Sequence, residues 1–298
     1  ISLTKPKMLS LGNEFNLKGF KYRNTEKYFQ QLAVAYRTAK SLDPNIKVYP
    51  YGISPGGIYD YEEPSRVLEE MLSFFDKHPY APNQRYPFDG INIHCYFPDQ
   101  ITSGIPRLKE VLEKHNADLS IIVGEAGLPV NDKKPREWDS FINTPNDQAN
   151  YLWQSLALNY AQGVSYINYF DSKDVYQSTD VKNEFLYVSW GLTRLDGTPR
   201  PAYDAFVFAQ RIFNNIVNRE YNIQDDLFKL TLNRSDGARV RILWNNSKTP
   251  KSYFDISDKA LIFDKYRNKI NPPIIDGKIS IVLSARLTEF VGGEVIII

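Results

Sequence analysis

Two glutamates stand just past short apolar runs, where a buried charge would be costly. Glu14 follows the run Met8–Leu11, and Glu125 follows the run 121–123. A carboxylate at the mouth of an apolar strand is unfavourable unless it is solvated or functional. Two carboxyl groups about 5 Å apart can cleave a glycosidic bond with retention, because one protonates the leaving oxygen while the other attacks the anomeric carbon. We therefore take Glu14 as the candidate general acid/base and Glu125 as the candidate nucleophile.

A rival motif follows the second apolar run of the chain. Gly52-Ile53-Ser54-Pro55-Gly56 fits the G-x-S-x-G pattern of a serine nucleophile. That chemistry takes an oxyanion-stabilising N–H from the residue after the serine, and Pro55 has none. A further stretch, 57–61, also separates the motif from the next helix. The motif is therefore weak support for a serine hydrolase.

Both glutamates need elements that bring them together. From Met8 to about Gln210, short apolar runs alternate with amphipathic stretches, which is the pattern of parallel βα units. The predicted strands are 8–11, 46–51, 90–96, 119–123 and 164–169. The first predicted helix covers 25–42 and has Leu42 on its apolar face. Four further helices are predicted from apolar faces within 67–75, 105–112, 149–160 and 205–213. In barrel enzymes the sites lie at the C-terminal ends of the strands, where both glutamates fall.

The last part of the chain has a different periodicity. After an Asn-rich connector at 214–226 the helical period disappears and short alternating runs follow. These runs are 228–232, 240–244, 260–263, 279–283 and 288–291. The turn signals Ser235-Asp-Gly and Asp276-Gly indicate an antiparallel arrangement. We predict a (β/α)-barrel portion over residues 1–216 and a small β-sandwich domain over residues 217–298.

Composition excludes several classes of protein. The 36 Lys and Arg nearly cancel the 35 Asp and Glu, so the basic footprint of a nucleic-acid binder is missing. No apolar run is long enough to span a membrane. The single cysteine excludes an internal disulfide. Because no cluster of His, Cys or Asp has metal-ligand spacing, no metal or organic cofactor is implied.

Five motifs in order resemble the clan A retaining (β/α)8-barrel glycoside hydrolases, most of all family 39. The pair Asn13-Glu14 is similar to the Asn-Glu that ends their strand four, and Glu125 to the Glu that ends strand seven. Phe88–Tyr96 resembles strand six with its His-x-Tyr ending, and 169–174 resembles the end of strand eight. Trp190-Gly-Leu, followed by the segment 196–203, resembles the approach to the last barrel helix.

The resemblance implies roles for further residues. Asn13 would bind the 2-hydroxyl of the sugar, Tyr96 would orient Glu125, and His94 would line the sugar pocket. An aromatic platform would come from Tyr169 or Phe170. Oligosaccharide or polysaccharide would be the substrate.

Less specific interpretations remain open beside these roles. His94 could be a core histidine, while Asp171 and Asp174 could bind substrate or cap a turn. Trp190, beside a glycine in a loop, is a candidate to line the cleft. Glu184 lies in a second Asn-Glu-Phe triplet that follows no strand, so we predict it at the surface. His78 and His115 are expected at helix ends, on the surface.

The chain also departs from the clan pattern. Phe15 replaces the proline that commonly follows the acid/base glutamate, and the tryptophan of strand eight is absent. Counted back from Glu14, three βα units are missing, and five parallel strands do not close a barrel. We therefore expect a preceding segment, or a second chain, to complete it. The alternative to a glycosidase is a non-catalytic carbohydrate-binding or assembly protein derived from such a barrel.

Overall fold

The computed structural model describes residues 6–17, 25–54, 63–130, 144–174, 189–254, 260–276, 278–285, 293 and 295–298. The chain forms two compact units. The first comprises Ile1–Ala126 with Gln162–Asn168, and the second comprises Gly127–Ala161 with Tyr169–Ile298. Of the described helices, none combines the length and apolar character that crossing a membrane requires.

The first unit is a sheet with helical connections. Its strands are β1 (Met8–Asn13), β2 (Lys47–Gly52), β3 (Gly90–His94), β4 (Ser120–Ala126) and β5 (Tyr166–Tyr169, whose last residue belongs to the second unit). β1 pairs with β2 and β3 with β4, both in parallel, and β5 lies beside β4. A parallel bridge between Ile53 and Ile93 joins the two ladders. The predicted parallel βα pattern is confirmed here, and the strand ends that carry the candidate residues share one edge of the sheet.

The helices of the first unit bury the apolar faces that the sequence indicates. They are α1 (Thr25–Leu42), α2 (Pro64–Lys77) and α3 (Ile105–Lys114), and a π-helical turn at Gln100–Gly104 precedes α3. Glu63 caps α2 by accepting a hydrogen bond from the amide of Arg66 at 3.1 Å, and Pro64 suits the first turn. The buried residues of α2 are Val67, Leu68, Met71, Leu72 and Phe75, all as predicted.

The prediction is wrong for one residue of the apolar face of α1. Leu42 is 80% exposed. It is the last residue of α1, where no further turn of the helix covers it. Phe29 is buried on this helix in addition to the predicted positions.

The second unit combines two helices with an antiparallel sheet. Its helices are α4 (Pro145–Ala161) and α5 (Pro201–Ile212). Most of α4 is buried. Trp153 Nε1 donates to the carbonyl of Lys265 at 3.0 Å, and Gln154 Nε2 donates to that of Gly293 at 3.0 Å. The predicted boundary between residues 216 and 217 stays a prediction, and this compact unit combines residues from both sides of it.

Six described strands form the main sheet: β6 (Ile216–Gln224), β7 (Leu227–Arg234), β8 (Arg239–Asn245), β10 (Ile262–Asp264), β11 (Lys269–Ile270) and β15 (Ile296–Ile297). Their order in the sheet is β11-β10-β15-β8-β7-β6. Two further ladders pair β9 (Lys251–Tyr253) with β14 (Ile281–Leu283), and β12 (Ile274–Ile275) with β13 (Lys278–Ile279). The antiparallel prediction is confirmed, whereas the sandwich stays a prediction. The predicted strand 288–291 lies outside the described residues.

The connector predicted at 214–226 is wrong over most of its length, because β6 occupies nine of its residues. Among the described strands β6 pairs with β7 alone, which makes it an edge strand, and every residue of β6 after Ile216 is exposed. A strand exposed on both faces needs no alternation of apolar and polar residues, so the period-two signal is lost.

Candidate active site

A kinked strand end presents Glu14. Gly12 has φ 109° and Glu14 has φ 45°, both in the left-handed region. The amide of Glu14 donates to the carbonyl of Gly52 at 2.9 Å. The ring of Phe15 packs against Tyr28, at a centroid distance of 5.2 Å, and lies where a Cβ on Gly12 would be only 2.7 Å from it. Phe15, the departure from the clan pattern, therefore anchors this kink by aromatic packing.

The carboxyl groups of Glu14 and Glu125 meet at the ends of β1 and β4. His94, at the end of β3, lies between them: its Nδ1 is 2.8 Å from Glu14 Oε1 and 3.5 Å from Glu125 Oε2. The hydroxyl of Tyr96 donates to Glu125 Oε2. One oxygen of each carboxylate and a ring nitrogen of His94 all lie within 4.8 Å of one another. The first unit therefore brings together four of the predicted site residues.

The three groups differ in exposure. The His94 side chain is 2% exposed, whereas those of Glu14 and Glu125 are 17% and 22% exposed. The carboxyl groups can thus reach a ligand while the imidazole lies behind them. Nδ1 can donate to an ionised Glu14 and accept from a protonated one, so the contact persists in either protonation state.

These atoms are also close enough to hold a cation. Among the described residues, Glu14, His94 and Glu125 form the one such group of His, Cys, Asp and Glu side chains. The imidazole and the Tyr96 hydroxyl already hydrogen-bond to the carboxylates. The neighbouring Cys95 is buried, and burial raises the pKa of its thiol, which disfavours the thiolate needed for metal binding. The arrangement is that of a hydrogen-bonded carboxylate pair.

Gln100 is a residue that the sequence did not single out. Its Oε1 accepts hydrogen bonds from the amides of Tyr96 at 2.7 Å and Phe97 at 2.9 Å. This fixes the segment that carries the Tyr96 hydroxyl to Glu125. Gln100 begins the π-helical turn before α3, and such turns are frequent at functional sites. A side chain that bonds to backbone amides leaves no pattern in the sequence.

The polar residues next to the pair have different roles. Asn13, at the end of β1, is exposed. Asn16 is 3% exposed, and its side chain binds both the carbonyl and the amide of Ser54, at 2.7 and 2.9 Å. Ser54 is buried, which does not suit a nucleophile. The rest of the rival motif, Pro55 and Gly56, lies outside the described residues.

The other candidates belong to the second unit. The ring of Tyr169 packs against Leu128 and Tyr151, and burial raises the pKa of its hydroxyl. Phe170 lies edge-on to Trp190 with ring centroids 5.6 Å apart. The peptide bond between Phe170 and Asp171 is cis.

Hydrogen bonds and one ion pair hold the loop of these residues. The backbone of Asp171 pairs with that of Trp190, at 3.2 Å, and with that of Leu192, at 2.8 Å. Asp174 is buried, forms a two-pronged ion pair with Arg200 at 3.0 and 2.7 Å, and accepts the amide of Gly191. Asp174 therefore has a structural role. Glu184 lies outside the described residues.

The chain is similar to known glycoside hydrolases in sequence and in fold. The chain is 25% identical over 262 residues to a β-xylosidase of Geobacillus stearothermophilus, covering 80% of this chain and 46% of that protein. A family 39 glycoside hydrolase from Bacteroides cellulosilyticus WH2 has a TM-score of 0.67 at 20% identity, covering 97% of this chain and 57% of that one. In sequence and fold the chain is therefore similar to clan A glycoside hydrolases, and among them to family 39.

Other structures of this group share the fold. A GH39 β-xylosidase from Caulobacter crescentus has a TM-score of 0.55 at 14% identity, covering 97% of this chain and 65% of that one. A family 51 α-L-arabinofuranosidase from Bifidobacterium longum has a TM-score of 0.62 at 11% identity, covering 98% and 66%. No family model matches the chain. The chain spans about half the length of the curated relative it matches.

Proposed function

We propose that this chain carries the catalytic pair of a retaining glycosidase, with Glu14 as general acid/base and Glu125 as nucleophile. The observation that carries the proposal is the approach of the two carboxylate oxygens to within 4.8 Å. Retaining enzymes need their carboxyl groups about 5–5.5 Å apart, whereas inverting enzymes leave room for a water between groups at least about 6.5 Å apart. The short separation favours retention.

The reaction proceeds in two displacements. A carboxylate oxygen of Glu125 attacks the anomeric carbon, the bond to the leaving oxygen breaks, and that oxygen takes the proton of Glu14. Water then attacks the same carbon, gives its proton to Glu14, and releases Glu125 as a carboxylate. The proton and the nucleophile are both restored.

The neighbouring polar groups support these steps. The hydroxyl of Tyr96 binds the Glu125 oxygen that also lies near His94, so the other oxygen is available for attack. The imidazole can keep its hydrogen bond to Glu14 whether that carboxyl group is protonated or ionised, because Nδ1 can act as acceptor or donor. Asn13, exposed beside Glu14, is proposed to bind the sugar 2-hydroxyl.

Phe170, Asp171 and Trp190 remain proposed sugar contacts, as the resemblance to the clan implies. The buried hydroxyl of Tyr169 and its packing against Leu128 favour Phe170 over Tyr169 as the aromatic platform. Phe170→Ala and Trp190→Ala are then expected to raise KM, whereas Tyr169→Phe leaves KM unchanged.

The substrate is proposed to be a β-linked glycoside or polysaccharide. The curated relative is named a β-xylosidase, which makes aryl β-xylosides the first substrates to test. An aryl α-L-arabinofuranoside should be tested beside them, since one structural relative is an α-L-arabinofuranosidase.

The experiment compares three glutamate substitutions in the full-length protein. Glu125→Gln should abolish hydrolysis of an activated aryl glycoside, because no nucleophile remains. Glu14→Gln should retain the first displacement for a good leaving group, which needs no proton, and release product in a burst. Glu184→Gln changes the glutamate of the second Asn-Glu-Phe triplet and should keep full activity. Near-normal turnover by Glu125→Gln would end the proposal.

A non-catalytic carbohydrate-binding or assembly protein is the alternative. Calorimetric binding of an oligosaccharide, with no reducing ends released by the unmodified protein, would favour it. We also propose that a further barrel segment or a second chain completes the barrel, and that the strands over residues 217–298 form a sandwich.

A further inference from the structure

The hydroxyl of Tyr28 lies between the ends of two strands. It accepts a hydrogen bond from the amide of Tyr51 at 2.9 Å and donates one to the carbonyl of Leu11 at 2.9 Å. Leu11 belongs to β1, three residues before Glu14, and Tyr51 belongs to β2, next to Gly52. A side chain of α1 thus joins the two strands where β1 turns towards the carboxylate pair.

The ring of Tyr28 contacts the same region on the C-terminal side of Glu14. It packs edge-on against Phe15, at 5.2 Å between centroids, and against Tyr51 at 5.0 Å. Tyr28 therefore holds Leu11 by a hydrogen bond and Phe15 by a ring contact. The residue is 5% exposed, so water has little access to replace the hydroxyl.

The backbone between these two contacts needs such support. Gly12 and Glu14 both have positive φ, and for a glutamate this conformation is strained by about 1–3 kcal/mol. Strained backbone persists only where the surrounding contacts fix it. Tyr28 supplies contacts on both sides of the strained segment.

We propose that Tyr28 is a positioning residue for Glu14, whose hydroxyl fixes the kinked end of β1 and so directs the Glu14 carboxyl towards His94 and Glu125. The inference rests on the proposed role of Glu14 as acid/base. Tyr28 itself does not contact substrate in this proposal. It acts through the backbone that carries the acid.

The test uses Tyr28→Phe, which keeps the ring and removes the hydroxyl. A displaced acid slows only the substrates whose leaving oxygen needs a proton. We expect kcat/KM to fall about tenfold or more for a β-xyloside with a poor leaving group, and about twofold or less for a dinitrophenyl β-xyloside. Tyr36→Phe is the matched control, since Tyr36 is buried on the same helix and packs against Tyr80. This control variant should leave kcat/KM unchanged for both substrates.

The possible outcomes separate the two proposals. An equal loss with both leaving groups, or no loss, overturns the positioning role. Should the unmodified protein cleave no glycoside, the proposed function fails, and hydrogen exchange of the Glu14 amide decides the positioning. That amide should exchange about tenfold faster in Tyr28→Phe and not in Tyr36→Phe; an unchanged rate overturns it. Should Tyr28→Phe not fold, Phe15→Leu tests the same kink and should show the same selective loss.

Discussion

The Nε2 atom of His94 lies in the space that a side chain at Gly52 would occupy. A Cβ built on Gly52 would be only 2.0 Å from that nitrogen, and 2.6 Å from Cδ2 of the same ring. The imidazole thus packs directly on the backbone of β2. Its other nitrogen, Nδ1, faces Glu14 Oε1 at 2.8 Å. A glycine at the end of one strand therefore determines where the histidine of the next strand meets the candidate acid.

Gly52→Ala tests this packing. The methyl group would displace the imidazole from its present contact with Glu14, and a shift of about 1 Å at a reacting group can cost about a hundredfold in rate. We expect kcat/KM to fall about a hundredfold. Gly104→Ala is the control, because a Cβ there has no neighbour within 4 Å among the described residues. Equal activity of the two variants would contradict the role of the packing.

Gln100 should act on catalysis through Tyr96. We expect Tyr96→Phe to lower kcat/KM by about ten- to a hundredfold, because Glu125 loses a hydrogen bond, and Gln100→Met to lower it less. In the double variant the loss from Gln100→Met should largely disappear, since the hydroxyl that it positions is already gone. The double-mutant cycle measures this coupling. Additive losses would mean that Gln100 and Tyr96 act independently.

Much of the site could be predicted because strand ends mark it. Glu14 and Glu125 each follow an apolar run, and parallel strands bring their C-terminal ends to one edge, so two residues far apart in the chain could be paired. Helix α2 was predictable residue by residue, because the apolar positions that follow the helical period are the ones that are buried.

The rest depends on contacts that leave no local pattern. The role of Gln100 depends on its hydrogen bonds with two backbone amides. The role of Gly52 depends on the missing side chain, whose place the His94 ring occupies. β6 is an exposed edge strand without alternation. His115 lies at a helix end as expected, yet its side chain is only 8% exposed because two carboxylates of α2 enclose it. Such partners become visible only once the fold is known.

The Asp76–His115 contact should make stability depend on pH. His115 Nδ1 lies 2.5 Å from Asp76 Oδ2, and Tyr86 donates to Oδ1 at 2.9 Å. Burial acts to raise the pKa of Asp76, but these hydrogen bonds together lower it below the ordinary 3.8. A depressed carboxyl pKa stabilises the fold above the unfolded-state value, and this contribution is lost as the pH falls through the folded-state value.

We therefore expect Asp76→Asn to lower the Tm at neutral pH and to flatten its dependence on pH below about pH 5. The Tm difference between unmodified protein and variant should shrink as the pH falls towards about 3. Glu110→Gln, at an exposed position of α3, is the control and should follow the unmodified protein. Parallel curves for Asp76→Asn and the unmodified protein would show that the contact makes no pH-dependent contribution.

The two-pronged pair of Asp174 and Arg200 should stabilise the second unit far more than the pair of Asp236 and Arg234. The Arg200 side chain is fully buried and that of Asp174 is 6% exposed, whereas that of Asp236 is 52% exposed. Removing one partner of a buried pair leaves an uncompensated charge, which costs about 3–5 kcal/mol. Solvent screens an exposed pair, so its removal has little effect.

Asp174→Ala should therefore lower the free energy of unfolding by about 3–5 kcal/mol, whereas Asp236→Ala should leave the urea midpoint almost unchanged. Urea unfolding followed by circular dichroism compares the two variants. Asp174 also accepts the amide of Gly191, next to Trp190, so its loss should loosen that loop and raise KM in protein that remains folded. Equal midpoints for the two variants would mean that the buried guanidinium of Arg200 tolerates the loss of its partner, and would contradict the prediction.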